Sequence, residues 1–382
     1  MSREIFLTNA RIVLLDAVVE GTIVLRGCRI ASVDSGGSGG SAQSAAFDME
    51  GDYLLPGVVD LHSDNLERQV QPRSNARWPS RSALVAHDAQ CAAAGVTTVL
   101  DALCLGDLGL EKDRIRTFRE GVADLDTLGG TDLLKAEHFL HLRCELPASD
   151  MLDLLDPVAD HPRVRMISMM DHSPGVGQYA DVDLWRALKR RDGARPEDVE
   201  RLLTEMLANR ERLRGPNRRG LLARLAGLDV TLASHDDRTH EEIAENVADG
   251  IRISEFPVTM QAARAAKDAG MEVIAGAPNL VRGGSHTGNV AAADLVRAEA
   301  VDAFASDYVP ASLVEAAFHC VVDTGISLPH SVALVSDRPA RMAGLLDRGR
   351  IEPGLRADVV RVRLYNGLPI VRQVWRGGER VI

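Results

Sequence analysis

The segment at residues 54–67 contains the residues whose types and spacing most clearly suggest chemistry. An apolar run there ends in His62-Ser63-Asp64. Alternate side chains of a β-strand point to one face, so His62 and Asp64 would project together, about 7 Å of rise apart. An imidazole and a carboxylate on a rigid strand end are both metal-ligand types. A lone His-x-Asp pair usually marks only the polar end of a strand, so the interpretation depends on the residues downstream.

Four more residues of ligand type end later apolar runs. They are Glu145, His172, His235 and Asp307. With the first pair they make three imidazoles and three carboxylates, which exceeds the three protein ligands of an open tetrahedral zinc site. Two divalent ions about 3.5–4 Å apart, bridged by a carboxylate and a hydroxide, suit this set and would provide a nucleophile at neutral pH. Zinc is the default metal, and Mn²⁺ and Fe²⁺ remain open.

Single glycines separate helical patterns from apolar runs along the middle of the chain. These glycines are Gly95, Gly227, Gly250 and Gly270. A glycine just past a helix end takes the left-handed conformation, and a continuous apolar run after it is typical of a strand buried on both faces. Repetition of this pattern predicts parallel β/α units. The runs that qualify as strands are residues 55–61, 97–101, 139–145, 163–171, 230–234, 251–254, 272–275 and 303–305.

Eight such strands predict an α/β fold of the (β/α)₈ TIM-barrel type, whose site lies at the carboxyl ends of the strands. A doubly wound open sheet is the alternative, but no glycine-rich nucleotide fingerprint follows the first strand. Short strand patterns also occur in both chain ends. We therefore predict a small β-sandwich domain from residues 1–53 and 348–382, with the barrel, residues 54–347, inserted between them.

Composition narrows the class of protein. The chain has 382 residues, a net charge of −11 and five cysteines without a Cys-x-x-Cys motif. The cysteines are typical of reduced thiols in a cytoplasmic protein. The negative charge argues against a nucleic-acid or anionic-membrane surface, and no run of about 18 apolar residues predicts a membrane span. An anionic substrate would have to be attracted by local arginines or by bound metal.

These motifs resemble the amidohydrolase superfamily, which has a histidine motif after Leu-Pro-Gly-x-x-Asp, a bridging ligand, two single histidines and a final aspartate. The superfamily usually has His-x-His and a carboxylated lysine where this chain has His62-x-Asp64 and Glu145. The longer motif His-Ser-Asp-Asn-Leu-Glu, followed by Pro-Arg and Arg-Trp-Pro, is similar to the diphosphatase family of the carbon–phosphorus lyase pathway. Segments 138–145, 170–175, 234–237, 276–286 and 306–308 extend this resemblance essentially end to end.

That family removes pyrophosphate from α-D-ribose 1-methylphosphonate 5-triphosphate. The resemblance therefore implies a metal-dependent hydrolase of a phosphoric anhydride in phosphonate catabolism, with Asp307 as the candidate general base. A superfamily enzyme that cleaves a cyclic amide or acts as a deaminase is the alternative, and a non-catalytic metal-binding scaffold is a third. The expected partner is a phosphorylated ribose, and a homo-oligomer or a complex with other phosphonate-pathway proteins is left open.

A triphosphate needs hydrogen-bond donors, and two groups of residues are candidates. Guanidinium groups and glycine backbone amides both suit phosphate oxygens. The first group follows the first strand and consists of Arg68, Arg73, Arg77 and Arg81. The second group lies in a glycine-rich segment after a later strand end and consists of Asn279, Arg282, Gly284, Ser285 and His286.

Other polar residues near the predicted strands receive structural interpretations. Arg143, two residues before a candidate ligand, is expected to form a buried ion pair inside the barrel. His138 and His141 flank the predicted start of the same strand, so we expect them to lie far from the strand-end site. Asp236 and Asp237 could orient imidazoles of the site.

Overall fold

The computed structural model of the protein describes residues 4–36, 46–73, 76–108, 113–191, 193–285 and 288–382. Within these ranges the strands form two eight-stranded sheets, one from both chain ends and one from the middle. The strands are β1 (Glu4–Val13), β2 (Val18–Arg26), β3 (Arg29–Ser35), β4 (Ala46–Asp48), β5 (Tyr53–Pro56), β6 (Val58–Ser63), β7 (Val96–Leu105), β8 (Glu137–Glu145), β9 (Val164–Met170), β10 (Thr231–His235), β11 (Ile253–Glu255), β12 (Glu272–Gly276), β13 (Ala303–Ala305), β14 (Val359–Tyr365), β15 (Leu368–Arg376) and β16 (Glu379–Arg380).

Helices follow most strands of the middle sheet, as expected of β/α units. They are α1 (Asn65–Val70), α2 (Ser80–Ala93), α3 (Asp113–Leu128), α4 (Met151–Leu155), α5 (Val182–Arg191), α6 (Pro196–Leu225), α7 (His240–Ala248), α8 (Met260–Asp268), α9 (Ala277–Val281), α10 (Ala292–Arg297), α11 (Ser312–Thr324), α12 (Leu328–Ala333) and α13 (Asp337–Met342). In the part of the chain that the structure describes, none of these helices combines the length and apolar character needed to cross a bilayer.

Strands β6 to β13 pair in sequence order, each parallel to the next. A parallel bridge between Ser63 and Asp307 joins the last strand to the first and closes the barrel. Asp60 strengthens this closure, because its carboxylate accepts hydrogen bonds from the Ser306 hydroxyl at 2.5 Å and the Ser306 backbone at 3.1 Å. The prediction of a (β/α)₈ barrel is confirmed, and Glu145 ends its third strand.

The apolar runs and glycines have the roles that their pattern predicted. Every residue of β7 is buried, as expected of a strand covered on both faces. The four glycines after helices all have positive φ, between 78° and 88°. Inside the barrel, apolar residues such as Leu61, Leu100 and Met166 pack together, so the barrel has a filled core below its carboxyl end.

The sheet from the chain ends has the order β16-β15-β14-β5-β1-β2-β3, with β4 beside β1. It has a separate hydrophobic core that includes Ile12 and Trp375. Gly57 connects this sheet to the barrel where the two approach closely, since a Cβ there would lie 2.2 Å from Thr97 Oγ1. The β unit from both chain ends is confirmed, whereas the exact domain boundaries stay a prediction. The predicted boundary at residues 53 and 54 falls inside β5.

Candidate metal centre

A cavity of about 330 Å³ opens at the carboxyl ends of the barrel strands. Parallel strands of a barrel deliver their terminal side chains to this one face. All of the ligands expected from the sequence line the cavity, namely His62, Asp64, Glu145, His172, His235 and Asp307. The structure therefore brings together six residues that span most of the barrel sequence.

One part of the site is built on the junction of the first and last barrel strands. His62, Asp64 and Asp307 each have a ligand atom within 4.8 Å of the others' ligand atoms. The backbone fixes this arrangement, because Asp307 N donates to His62 O at 2.9 Å and Asp64 N donates to Asp307 O at 2.6 Å. Arg143 Nη1 also donates to Asp64 Oδ1 at 2.5 Å, so the expected buried ion pair of Arg143 is made with a site carboxylate.

The other part of the site contains His172, His235 and Asp236, which form a second group within the same distance limit. His235 Nδ1 lies 3.3 Å from Asp236 Oδ2, and His172 Nε2 lies 3.8 Å from that same oxygen. His172 Nδ1 also hydrogen-bonds to Glu145 Oε1. Asp236 therefore contacts both imidazoles, as expected of a residue that orients them.

Glu255, at the end of β11, is a site residue that the sequence analysis missed. It is fully buried, and with His62 and His235 it forms a third group of potential metal ligands. His62 Nδ1 donates to Glu255 Oε1 at 2.8 Å, and Ser168 Oγ donates to Oε2 at 2.7 Å. The signal was present in the sequence, because Glu255 directly follows the apolar run 251–254.

His141 is also closer to the site than expected. It lies in the middle of β8, and its ring centroid is 5.0 Å from that of His62. Its Nδ1 donates to Leu61 O at 3.1 Å, and its Nε2 hydrogen-bonds to Ser168. The expectation that His141 lies far from the site is wrong, because His141 shares a strand face with Arg143 and Glu145 and its ring therefore points into the barrel.

Burial and charge pairing shift the pKa values of the site in opposite directions. Burial lowers the pKa of His62, but Glu255 and Asp64 outweigh it and raise that pKa to about 10. Burial, reinforced by the nearby Asp64 carboxylate, raises the pKa of Asp307 to about 6. Burial also opposes ionisation of Glu255, yet His62 and the neighbouring histidines hold its pKa well below the usual range. A divalent cation would therefore compete with a proton for His62.

Two buried ligand atoms identify where a cation fits. Glu145 Oε2 and His235 Nε2 are both inaccessible to solvent and have no hydrogen-bond partner among the described residues. A buried polar atom without a partner costs about 1–3 kcal/mol, so such atoms are rare unless they bind something. Imidazole nitrogens and carboxylate oxygens are suitable ligands for Zn²⁺, Mn²⁺ or Fe²⁺. The residues present fit a divalent metal centre.

The backbone after three of the strands is strained at this site. Asp236, Phe256 and Asp307 all have positive φ, of 57°, 52° and 55°. Residues with a Cβ seldom adopt this conformation, and the associated cost is of the order of 1–3 kcal/mol at functional sites. At Asp236 and Phe256 the left-handed residue directly follows a residue of ligand type, and at Asp307 it is the candidate ligand itself.

Comparison with known proteins shows a curated relative of nearly the same length. The chain is 39% identical over 378 residues to the α-D-ribose 1-methylphosphonate 5-triphosphate diphosphatase of Escherichia coli (strain K12), covering 98% of this chain and 99% of the relative. The chain belongs to this diphosphatase family. The expectation of a hydrolase that acts on acid anhydrides is thereby confirmed at the level of the family. No protein-family model matches the chain.

Comparison with solved structures shows that this chain shares its fold with amidohydrolases. An N-acetyl-D-glucosamine-6-phosphate deacetylase from Mycobacterium smegmatis aligns with a TM-score of 0.64 at 16% identity and 99% coverage of both chains. A dihydropyrimidinase from Brevibacillus agri aligns with a TM-score of 0.62 at 13% identity, covering 100% of this chain and 95% of that one. An amidohydrolase aligns with a TM-score of 0.61 at 16% identity, covering 100% of this chain and 99% of that one.

The glycine-rich segment expected to bind phosphate lies at the cavity. Asn279, Arg282, Gly284 and Ser285 line it, whereas His286 lies outside the described residues. The Asn279 side chain shapes the segment, because its Nδ2 donates to Val290 O and its Oδ1 accepts from the backbone of Ala292, each at 3.0 Å. That this segment of the chain binds substrate stays a prediction.

The arginines after the first strand occupy different surroundings from the cavity. Arg77 pairs with Glu120 at 2.7 Å, and Arg81 pairs with Asp124 at 3.0 Å, so both are directed to helix α3. Arg68 Nη1 donates to the backbone oxygen of Tyr308 at 2.7 Å. None of Arg68, Arg73, Arg77 and Arg81 is among the described residues that line the cavity. The lysine and arginine residues that do line the cavity are Arg114, Arg143, Lys189 and Arg282.

A separate histidine–carboxylate cluster is formed by residues of α2, β7 and β8, and none of its members lines the cavity. It consists of His87, Asp88, Asp101 and His138, all of which are buried. Asp101 accepts from His87 Nε2 at 2.7 Å and from His138 Nδ1 at 2.8 Å. His138 Nε2 donates to Asp88 Oδ1 at 3.2 Å. His138 therefore belongs to a hydrogen-bonded network of the barrel wall.

Proposed function

We propose that this protein hydrolyses the phosphoric anhydride of α-D-ribose 1-methylphosphonate 5-triphosphate and releases pyrophosphate, using two divalent metal ions. The observation that carries the proposal is the convergence of six ligand-type side chains from five strand ends on one cavity, with Glu145 Oε2 and His235 Nε2 unpartnered among the described residues. The relative of 39% identity carries the same activity in its name. Phosphonate catabolism is the corresponding metabolic role.

The ligands divide naturally into two groups that would each hold one ion. His62, Asp64 and Asp307 form one group, and His172, His235 and Asp236 form the other. Glu145, which contacts His172, and Glu255, which contacts His62, are the further carboxylates available to the ions. When bound, divalent ions neutralise phosphoryl oxygens and lower the pKa of water towards about 7, with zinc the default and manganese or iron suited to the same ligands.

We assign the general-base role to Asp307. Its carboxylate lines the cavity beside His62 and Asp64, and its backbone is fixed to the first strand by two hydrogen bonds. A carboxylate held at this position can accept the proton of an attacking water and hold it while the anhydride bond breaks. Positioning and electrostatics contribute most of the catalysis in phosphoryl transfer, so a rigid strand-end carboxylate suits this role.

The test is to incubate the purified protein, loaded with zinc or manganese, with the ribose triphosphate and to identify the products by ³¹P NMR. We expect pyrophosphate and α-D-ribose 1-methylphosphonate 5-phosphate, because water breaks only the α–β anhydride bond and the methylphosphonate stays on the sugar. Asp307→Asn should lower kcat by about 10²–10⁴-fold, the range of general-base catalysis, while most of the metal is retained.

Arg81→Gln is the matched control, because that residue pairs with Asp124 outside the cavity. Its kcat should stay within about twofold of the wild type. Release of single phosphates alone, or turnover of a cyclic amide without any release of pyrophosphate, would overturn the proposed function. Full activity of the Asp307 variant would remove only the base assignment.

A further inference from the structure

The cavity wall includes two cations that have no anionic partner among the described residues. Of the four cationic residues that line the cavity, Arg143 is paired with Asp64 at 2.5 Å and Arg114 Nε lies 3.4 Å from Glu67 Oε2. Lys189 and Arg282 form no ion pair within the described part of the chain. The protein has a net charge of −11, and about half of its arginines are paired with carboxylates of the described residues. Two cations that line the cavity without an ion-pair partner among the described residues are therefore available to an anionic ligand.

Lys189 lies on a helical insertion formed by α5 and α6, between barrel strands β9 and β10. The insertion has a small hydrophobic core of its own, made by Trp185 with Val199, Leu203 and Met206. Trp185 is only 1% exposed and is four residues before Lys189, so both side chains lie on one face of α5. Packing of this indole fixes the rotation of α5 and hence the side on which Lys189 emerges.

Ion pairs hold the helix in the same orientation. Arg186, on α5, donates from Nε to Glu200 Oε1 at 2.8 Å and from Nη1 to Asp183 Oδ1 at 2.8 Å. Glu200 belongs to α6, so this contact connects the two helices of the insertion. The lysine is therefore presented by a structured element and not by a loose surface loop.

The same segment also reaches the metal-ligand residues. Tyr179, just before α5, has its ring centroid 6.1 Å from that of His172, and both Tyr179 and Gln178 line the cavity. From the first residue of α5 to Lys189 the helix advances about 10 Å, at about 1.5 Å per residue. One wall of the cavity thus extends from the ligand His172 to a cation farther along the insertion, which suits an extended anion.

We propose that Lys189 and Arg282 bind the distal phosphates of a polyphosphate substrate and determine the preference for triphosphate over monophosphate esters. This inference rests on the proposed function for the identity of the substrate. A lysine provides a compact charge with three donors, and an arginine provides a planar fork that matches phosphate oxygens. Gly284 and Ser285, next to Arg282 on the cavity wall, add a backbone amide and a hydroxyl.

The test is to measure binding of inorganic triphosphate, pyrophosphate and ribose 5-phosphate to the metal-loaded protein by calorimetry. We expect Lys189→Met to weaken triphosphate binding about tenfold or more, because it removes a charge-assisted hydrogen bond. Its effect on ribose 5-phosphate should stay within about twofold. In steady-state assays the same variant should raise KM for the triphosphate and leave kcat nearly unchanged.

Matched variants separate this role from a structural one. Lys189→Arg keeps the charge and should restore most of the affinity, whereas Arg190→Gln removes a neighbouring α5 charge that does not line the cavity and should leave binding unchanged. Equal triphosphate affinity of wild type and Lys189→Met would overturn the inference. Triphosphate binding that depends on Lys189, without release of pyrophosphate, would instead support this subsite and contradict the proposed function.

Discussion

The molecule contains two clusters of histidines and carboxylates, and they differ in whether their polar atoms are satisfied. In the strand-end cluster around the cavity, His235 Nε2 and Glu145 Oε2 are buried without a hydrogen-bond partner in the described part of the chain. In the wall cluster of His87, Asp88, Asp101 and His138, each ring nitrogen and carboxylate oxygen has one. His87 Nδ1, for example, accepts from Asn65 Nδ2 at 3.0 Å, and Asp88 accepts from the backbones of Lys135 and Ala136.

The difference shows that residue types alone do not identify a metal site. His87, Asp101 and His138 approach one another as closely as the groups at the cavity do. Their mutual hydrogen bonds already compensate for burial, so a metal ion would have to displace them. At the cavity, Glu145 Oε2 and His235 Nε2 have no hydrogen-bond partner among the described residues, so a cation could bind them without displacing one. The two clusters therefore differ in whether every buried nitrogen and oxygen atom of ligand type has a hydrogen-bond partner.

The largest expected effect comes from removing one histidine from each cluster. His235→Asn should lose at least one of the two metal ions that we propose and, with it, nearly all of the hydrolytic activity, because metal stabilisation of the transition state is worth several kcal/mol. His138→Asn should keep the full metal content. Elemental analysis of the purified variants measures the metal content directly. Loss of metal from the His138 variant alone would reverse the assignment of the two clusters.

A smaller effect is expected at Glu255, which accepts a hydrogen bond from His62 at 2.8 Å. Glu255→Gln keeps the shape of the side chain but removes the charge that orients this imidazole. Loss of such an orienting carboxylate typically lowers metal affinity about 10–100-fold. Competition with a fluorescent chelator measures this affinity without any activity assay. Asp237→Asn, which removes a buried carboxylate bonded to Ser234 and Ser254, is the control, and an equal loss of affinity there would contradict a specific role of Glu255.

The sequence was sufficient to predict the barrel and the position of all six candidate ligands at the cavity, because both follow from local pattern. Apolar runs after glycines predict buried strands, and strand ends in a barrel meet at one face. Glu255 could have been found by the same rule if the run at 251–254 had been extended by one residue. The lesson is that the residue just after each apolar run has to be considered as a ligand, whatever polar residue ends the run.

Other parts of the site depend on tertiary packing and could not be predicted from local pattern. Arg77 and Arg81 follow the first strand in sequence, but the orientation of their segment directs them to carboxylates of α3. Lys189 lines the cavity from a helix that is held by the packing of Trp185 against α6, a contact within an insertion rich in charged residues. Long-range contacts of this kind leave no periodic signal in the sequence.

The smallest expected effect concerns the wall cluster. We expect its histidine His138 to make the free energy of unfolding depend on pH. Burial lowers the pKa of His138, but Asp101 and Asp88 outweigh it and raise that pKa to about 9 from an ordinary value of 6.5. The folded state therefore holds this proton more tightly than the unfolded state. The resulting stabilisation, of the order of 3 kcal/mol at most, is fully present below about pH 6.5 and is lost as the pH rises through about 9.

Denaturant unfolding of wild type and His138→Gln between pH 6 and 9.5 measures this contribution. The wild type should lose stability across that interval, and the variant, which is less stable at pH 6, should show a flatter pH profile. His161→Asn is the control, since His161 pairs with Asp126, which is half exposed at the surface. Identical pH slopes for the wild type and the His138 variant would show that His138 is neutral in the fold. In that case its two ring nitrogens could not both donate to carboxylates, and the wall cluster would have to be reconsidered as a site that binds a cation.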